Sequence, residues 1–157
     1  MPHLTIRPAQ PDDAGLILVL LSELAAFEKL PLTITIEDIA FDFFGLKPLI
    51  ECELAFQDQT PIGLVTYYWT YATFRAARRL YLEDLFVLPA FRGRGHGKAL
   101  LTHLAKKGMA AGAARLEWQV LDWNAPAIGF YEGIGARKAP WLNYWLEGDA
   151  LKKLGET

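Results

Sequence analysis

One stretch constrains the fold more than any other: Tyr81–Leu101, YLEDLFVLPAFRGRGHGKALL. Leu80–Val87 has the apolar density of a strand. Pro89 closes the turn after it, Arg92–Lys98 is a glycine-rich loop, and Gly95–Ala111 reads as a helix with Leu100, Leu101 and Leu104 on one face. Strict alternation would put Tyr81, Glu83, Leu85 and Val87 on one face of the strand and Leu82, Asp84 and Phe86 on the other. Glycine permits close backbone approach, and a helix N-terminus carries partial positive charge. Arg92, Arg94 and Lys98 add full charges, so the stretch describes a cradle for a phosphate or pyrophosphate.

The remaining chain supplies a sheet for that strand. Leu4–Arg7 alternates and should be a first strand, ended by Pro8 and Pro11. Asp12 or Asp13 can cap a helix running to about Glu28, apolar over most of its circumference and therefore expected to be largely buried. Thr35 with Asp38 forms a weak capping box for a second helix, Ile36–Phe44, stopped by Gly45. Leu49–Phe56 and Ile62–Tyr71 read as a hairpin. After the glycine loop and its helix come a strand, Arg115–Leu121, and a helix, Asn124–Glu132, with Asn124 as cap and Pro126 in its first turn. Trp141–Leu146 reads as a last strand and Asp149–Leu154 as a last short helix. Hairpins first and strand–helix alternation later predict one α+β (mixed α/β) domain, 1–157, around a central sheet.

Composition excludes several classes. The chain has 157 residues, a net charge of −2 and 22% charged residues, which gives no overall case for nucleic-acid binding. One cysteine, Cys52, allows no intrachain disulfide and no thiolate metal cluster; it is expected to be a packed strand residue. His3, His96 and His103 have no metal-ligand spacing. The longest apolar run, Gly15–Leu21, is far short of the ~20 residues of a membrane helix, and no signal peptide is visible, so a cytoplasmic protein is expected.

The spacing of the glycine loop discriminates among phosphate ligands. A Walker loop would need glycine where Arg92 stands and serine or threonine where Ala99 stands. The dinucleotide fingerprint would need a third glycine at Lys98. Arg92, Gly95 and Gly97 do meet the pattern [R/Q]-x-x-G-x-[G/A], which an ordinary glycine-rich turn also satisfies. That pattern, Leu80–Leu101, Leu121–Ala136 (LDWNAPAIGFYEGIGA) and Leu24–Leu30 (LAAFEKL) together resemble the GNAT N-acetyltransferases, and within them the diamine (spermidine/spermine) and thialysine N-acetyltransferases.

The resemblance implies a central, mixed, mostly antiparallel sheet of about six to seven strands with about four helices. It implies acetyl-CoA as co-substrate, no metal, and direct acetyl transfer to a primary amine of a small molecule. Glu83 would accept the proton of the amine, whose alkylammonium has a pKa near ~10.4, and Tyr131 would be the acid for the thiolate. Backbone groups of Leu85, Phe86 and Val87 would hold the pantetheine arm where family sheets splay. Arg92, Gly93, Arg94, Gly95, His96, Gly97 and Lys98 would hold the pyrophosphate, with Asn124, Ala125, Pro126, Ala127 and Tyr131 completing the cofactor site. Phe27, Glu28, Glu83, Asp84, Glu117, Trp118 and Gln119 match positions lining the family's amine pocket. For Glu83 a salt bridge to a nearby arginine is the alternative, for Asn124 plain capping, and for the other acids solvation.

The chain departs from the spermidine/spermine branch at Gly135–Trp141 (GARKAPW), which is shortened and basic, and at Tyr71-Ala72, which lacks an acid. Losing acids and gaining cations favours a smaller amine, one such as thialysine that carries a carboxylate. Arg75, Arg78 and Arg79 would then face that carboxylate or form a solvated basic loop. Protein acetylation on a lysine or N-terminus, and a non-catalytic acyl-CoA sensor, stay open as alternatives. The resemblance also implies a homodimer, for which Trp141, Tyr144 and Trp145 offer aromatic surface; core packing is the other use of those rings.

Overall fold

Five strands form one sheet in the order β1-β2-β3-β4-β5: Leu4–Pro8, Glu51–Gln57, Thr60–Ala72, Ala77–Val87 and Leu116–Trp118. The computed structural model describes residues 3–157 and divides into two units, Met1–Gln119 and Val120–Thr157. The whole sheet lies in the first. Pairings β1–β2, β2–β3 and β3–β4 are antiparallel, and β4–β5 is parallel. A parallel neighbour cannot follow by a tight turn; helix α3, His96–Ala110 below, makes the crossover.

Helix α1 (Ala14–Glu28) and helix α2 (Ile36–Phe44) cover one face. Ile17, Leu20, Ile39 and Phe43 pack there with Cys52 and Leu54 of β2 and Leu64 of β3. The expected capping box opens α2: Thr35 Oγ1 accepts the Asp38 N–H at 3.1 Å, and Asp38 Oδ2 accepts the Thr35 N–H at 2.8 Å. α1 is buried along one stripe, Ala14, Ile17, Leu20, Leu21 and Leu24, while Val19 is 57% exposed. The helix is therefore less buried than its apolar circumference led one to expect, because only one side meets the sheet. α3 (His96–Ala110) lies on the opposite face, where a Cβ on Gly108 would lie 3.9 Å from Leu80 Cδ1. The β2–β3 hairpin forms as expected and carries a bulge between Ala55 and Phe56. Gly63 beside it is obligatory: a Cβ there would lie 2.3 Å from the Phe86 carbonyl oxygen.

The second unit holds α4 (Ala125–Gly133) and α5 (Gly148–Gly155). Asn124 caps α4, its Oδ1 accepting the Ala127 N–H at 3.4 Å. The last strand expected at Trp141–Leu146 does not form, so the sheet has five strands rather than six or seven, with five α-helices among the described residues. Trp141, Tyr144 and Trp145 are exposed. Strand propensity in such residues is realised only when they pair with a partner edge.

Candidate active site

The site is built on an irregularity in β4. Thr66 pairs with Asp84 and Tyr67 with Leu82, so Glu83 is an extra residue without a partner of its own. The bulge resets the alternation. Leu82 falls opposite Tyr67 on the α3 face, whereas Asp84 and Phe86 fall opposite Thr66 and Leu64 on the α1–α2 face. The expected segregation of Glu83 from Asp84 is thereby overturned. Both line one cavity of about 550 Å³, with Tyr68 of β3, Asp42 of α2 and an apolar wall that includes Leu21, Phe43, Leu49 and Ile50.

The electrostatics of this cavity are one-sided. Burial, and then the charge of Asp84, push the Glu83 carboxyl above its ordinary range, against an interaction with the Tyr68 hydroxyl that lowers it. Burial raises Asp84 as well, opposed by the Thr66 hydroxyl, which donates a short hydrogen bond to Asp84 Oδ2. Glu28, the last residue of α1, is raised by burial and by Asp84. Tyr68 and Tyr81 stand directly opposite and stack at 5.0 Å, and burial pushes the Tyr81 hydroxyl up to about 12. Neither Glu83 nor Asp84 has an ion-pair partner among the described residues. Partial desolvation without a paired cation makes the charged form of each of these acids costly.

Beside the bulge, the sheet opens. The β4–β5 ladder covers Leu80↔Leu116, Tyr81↔Glu117 and Leu82↔Trp118, and Glu83–Val87 have no β5 partner among the described residues. β4 then runs into the glycine loop. Gly93 and Gly95 have φ of 73° and 83°, the left-handed region that other residues adopt at a cost. A Cβ at Gly93, Gly95 or Gly97 would meet no atom within 4 Å, so open space lies over the start of α3. Arg92, Arg94 and Lys98 are all exposed, and Arg92 Nε donates to the Val87 carbonyl at 2.8 Å.

Several expected residues are engaged elsewhere. Glu117 is held by Arg115 at 2.6 Å and by Arg79 at 3.6 Å. Arg79 also donates to the Tyr71 carbonyl, and Arg78 lies over the Trp69 ring at 5.8 Å. Trp118 ends β5 and Gln119 follows it, exposed. Cys52 is buried, and burial pushes its thiol up, as befits a packed strand residue. Asp42, Thr66 and Tyr68 are pocket or pocket-supporting residues that local sequence patterns do not single out; only the pairing of β3 with β4 and the placement of α2 bring them in.

Comparison with known proteins decides the family. The model of the Acetyltransferase (GNAT) family matches residues 20–136. The chain belongs to the GNAT acetyltransferase family. It is an N-acetyltransferase. It is 33% identical to a mouse thialysine N-epsilon-acetyltransferase, over 98% of both chains, and 30% identical to one from Caenorhabditis elegans, over 99% of both. The fold is shared with an integron cassette protein from V. cholerae, at a TM-score of 0.83 and 24% identity over 98% of both chains.

GNAT acetyltransferases use acetyl-CoA as co-substrate. The first unit fits that group on two counts: a strand edge left without its β5 partner, and a positive-φ glycine loop whose absent Cβ atoms leave room for an anion. In the second unit, Asn124 caps the helix whose first turn is Ala125, Pro126 and Ala127, and Tyr131 of the same GNAT segment is half-buried with its ring 5.4 Å from that of Phe130.

Proposed function

We propose that this acetyltransferase moves the acetyl group of acetyl-CoA directly to the primary amine of a small cationic molecule, of short diamine or lysine-like type. The observation that carries the reading is the cavity with Glu83 and Asp84 side by side, in no ion pair among the described residues, at the point where β4 leaves β5 and enters the glycine loop. The names of the full-length relatives support the lysine-like end of that range. Their alignment over nearly the whole chain also supports reading 1–157 as a single N-acetyltransferase domain.

Acetyl-CoA, when bound, supplies the acetyl group and the thiol leaving group. Backbone groups of Leu85, Phe86 and Val87 would hold its pantetheine arm, with the Leu85 N–H aimed at the acetyl carbonyl. Gly93, Arg94, Gly95, His96, Gly97 and Lys98 would hold the pyrophosphate, and Asn124–Ala127 would complete the contact. Phe27, Glu28, Asp84 and Asp42 would hold the amine. Glu83 Oε would take its proton, because only the neutral amine is nucleophilic and its solution pKa near ~10.4 leaves little neutral form at pH 7. Tyr131 Oη would give a proton to sulfur. Trp118 and Gln119 would border the amine pocket, with Glu117 acting through the arginines that it pairs.

The test presents thialysine, lysine, diaminopropane, putrescine, spermidine and a histone-like peptide side by side and follows free CoA. Turnover of thialysine or the short diamines is expected. Turnover of the peptide alone, or binding of acetyl-CoA with no acetylated amine, overturns the reading. Tyr131→Phe is expected to cut kcat and spare acetyl-CoA affinity. We also propose that the exposed Trp141, Tyr144 and Trp145 belong to a homodimer interface; a monomer by light scattering at working concentration would remove that assignment.

A further inference from the structure

Arg92 has the place of a pyrophosphate ligand and the contacts of something else. Its backbone N–H donates to the Pro89 carbonyl at 3.2 Å, and its Nε donates to the Val87 carbonyl at 2.8 Å. The guanidinium carbon lies 4.7 Å from the Phe27 ring centroid and 5.3 Å from that of Phe86. No carboxylate pairs with it among the described residues. The three side chains and the carbonyl come from three places: the end of α1, the end of β4, and the start of the glycine loop. Phe27 immediately precedes Glu28, whose carboxyl feels the charge of Asp84, a residue that lines the cavity.

We propose that Arg92 is a positioning residue that clasps the C-terminal turn of α1, and with it Glu28, to the cofactor loop, so that filling the loop with CoA tightens the amine pocket. The proposal rests on the acetyl-CoA reading above. A planar guanidinium can hydrogen-bond a carbonyl with one edge and present its face to a ring, while its remaining N–H groups stay available to an anion. A lysine ammonium keeps the charge but cannot stack and bond in that way. An anion settling on the loop fixes the loop, and through the clasp fixes residues 27–28. By reciprocity, an amine held at Glu28 then strengthens CoA binding.

The experiment uses the full chain with CoA as probe. In the wild type, hydrogen exchange of residues 25–30 should slow when CoA is added. In Arg92→Lys the CoA affinity should stay within about twofold while that slowing disappears, and the KM of the amine should rise about fivefold, the upper scale of a cation–π contact between exposed residues. Phe27→Leu should reproduce the rise in KM, and the double variant should be no worse than either single one, because both break one contact. The clasp is overturned if CoA leaves exchange at 25–30 unchanged in the wild type, if Arg92→Lys loses CoA affinity while amine KM holds, or if the two substitutions add. Exchange needs no turnover. Absence of any acetylated amine would therefore sink the functional reading and still leave the clasp judged by CoA alone.

Discussion

Two pairs of carboxylates lie on opposite faces of the same sheet. On the α3 face, Glu53 of β2 is 1% exposed, yet Lys107 Nζ lies 3.0 Å from its Oε1 and His103 Nε2 3.3 Å from its Oε2. The Tyr67 hydroxyl stands 3.1 Å from Glu53 Oε1 and 3.0 Å from Glu51 Oε2, so one phenolic proton serves both acids. Trp69 Nε1 donates to the other oxygen of Glu51 at 3.1 Å. On the α1–α2 face, Glu83 and Asp84 have hydroxyls for company and no ion-pair partner among the described residues, and burial raises both. The first pair is closed by the protein's own side chains. The second has no ion pair among the described residues, and that difference is what the proposed amine site rests on: burial is greater at Glu53, but the acids without a paired cation are Glu83 and Asp84.

The contrast can be broken from either side. Glu83→Gln should lower kcat/KM for the amine by about 10³, or about 4 kcal/mol, with acetyl-CoA affinity unchanged by calorimetry. Wild-type turnover in that variant would strip the open pair of its catalytic meaning. Glu53→Ala should act on stability instead, costing about 3 kcal/mol in denaturant unfolding by stranding His103 and Lys107 beside a hole. If it instead slows the folded enzyme and leaves stability alone, the closed pair is not merely structural.

Asp84→Asn gives a smaller effect of a distinctive sign. The folded state holds the Asp84 carboxyl above its ordinary value, so the neutral form contributes stability that is present at low pH and lost as pH rises through that raised value. Asparagine removes the loss. Its Tm should therefore exceed the wild type's at pH 7–8, each 1 kcal/mol being worth about 2–4 °C at this size, and the gap should close below the ordinary aspartate pKa of ~3.9. Amine KM should rise in the same variant. A lower Tm at pH 8 would mean that Asp84 is satisfied as Glu53 is. The smallest effect belongs to Tyr68→Phe: kcat at pH 8 within about threefold of wild type, the scale of one hydrogen bond, but an acid limb of kcat/KM displaced to higher pH, since the lost hydroxyl is what lowers Glu83. An unmoved limb separates Tyr68 from the base.

The parts of this picture that depend on local rules were readable in the chain. The Thr35–Asp38 cap, the β2–β3 hairpin and the glycines at 93 and 95 each follow from one residue's conformational or hydrogen-bonding needs. The bulge was not readable, because Leu82–Phe86 satisfies period two as well without it as with it; the decision is made by how β3 pairs. Asp42 and Tyr68 were passed over for the same reason: nothing near them in sequence says that α2 and β3 share a pocket wall. Trp141–Leu146 failed in the other direction. Its composition suits a strand, but a strand is a property of two paired segments, and composition speaks for only one of them.

The extra residue at Glu83 has a consequence for anyone altering this protein. In a regular strand, neighbouring positions trade a pocket residue against one beneath the opposite helix, and most combinations fail to fold. Here positions 83 and 84 look into the same cavity while Leu82 and Leu85 keep the other face filled. A library that varies 83 and 84 together therefore redraws one wall of one pocket, and its losses should register as changed amine preference more often than as unfolded protein.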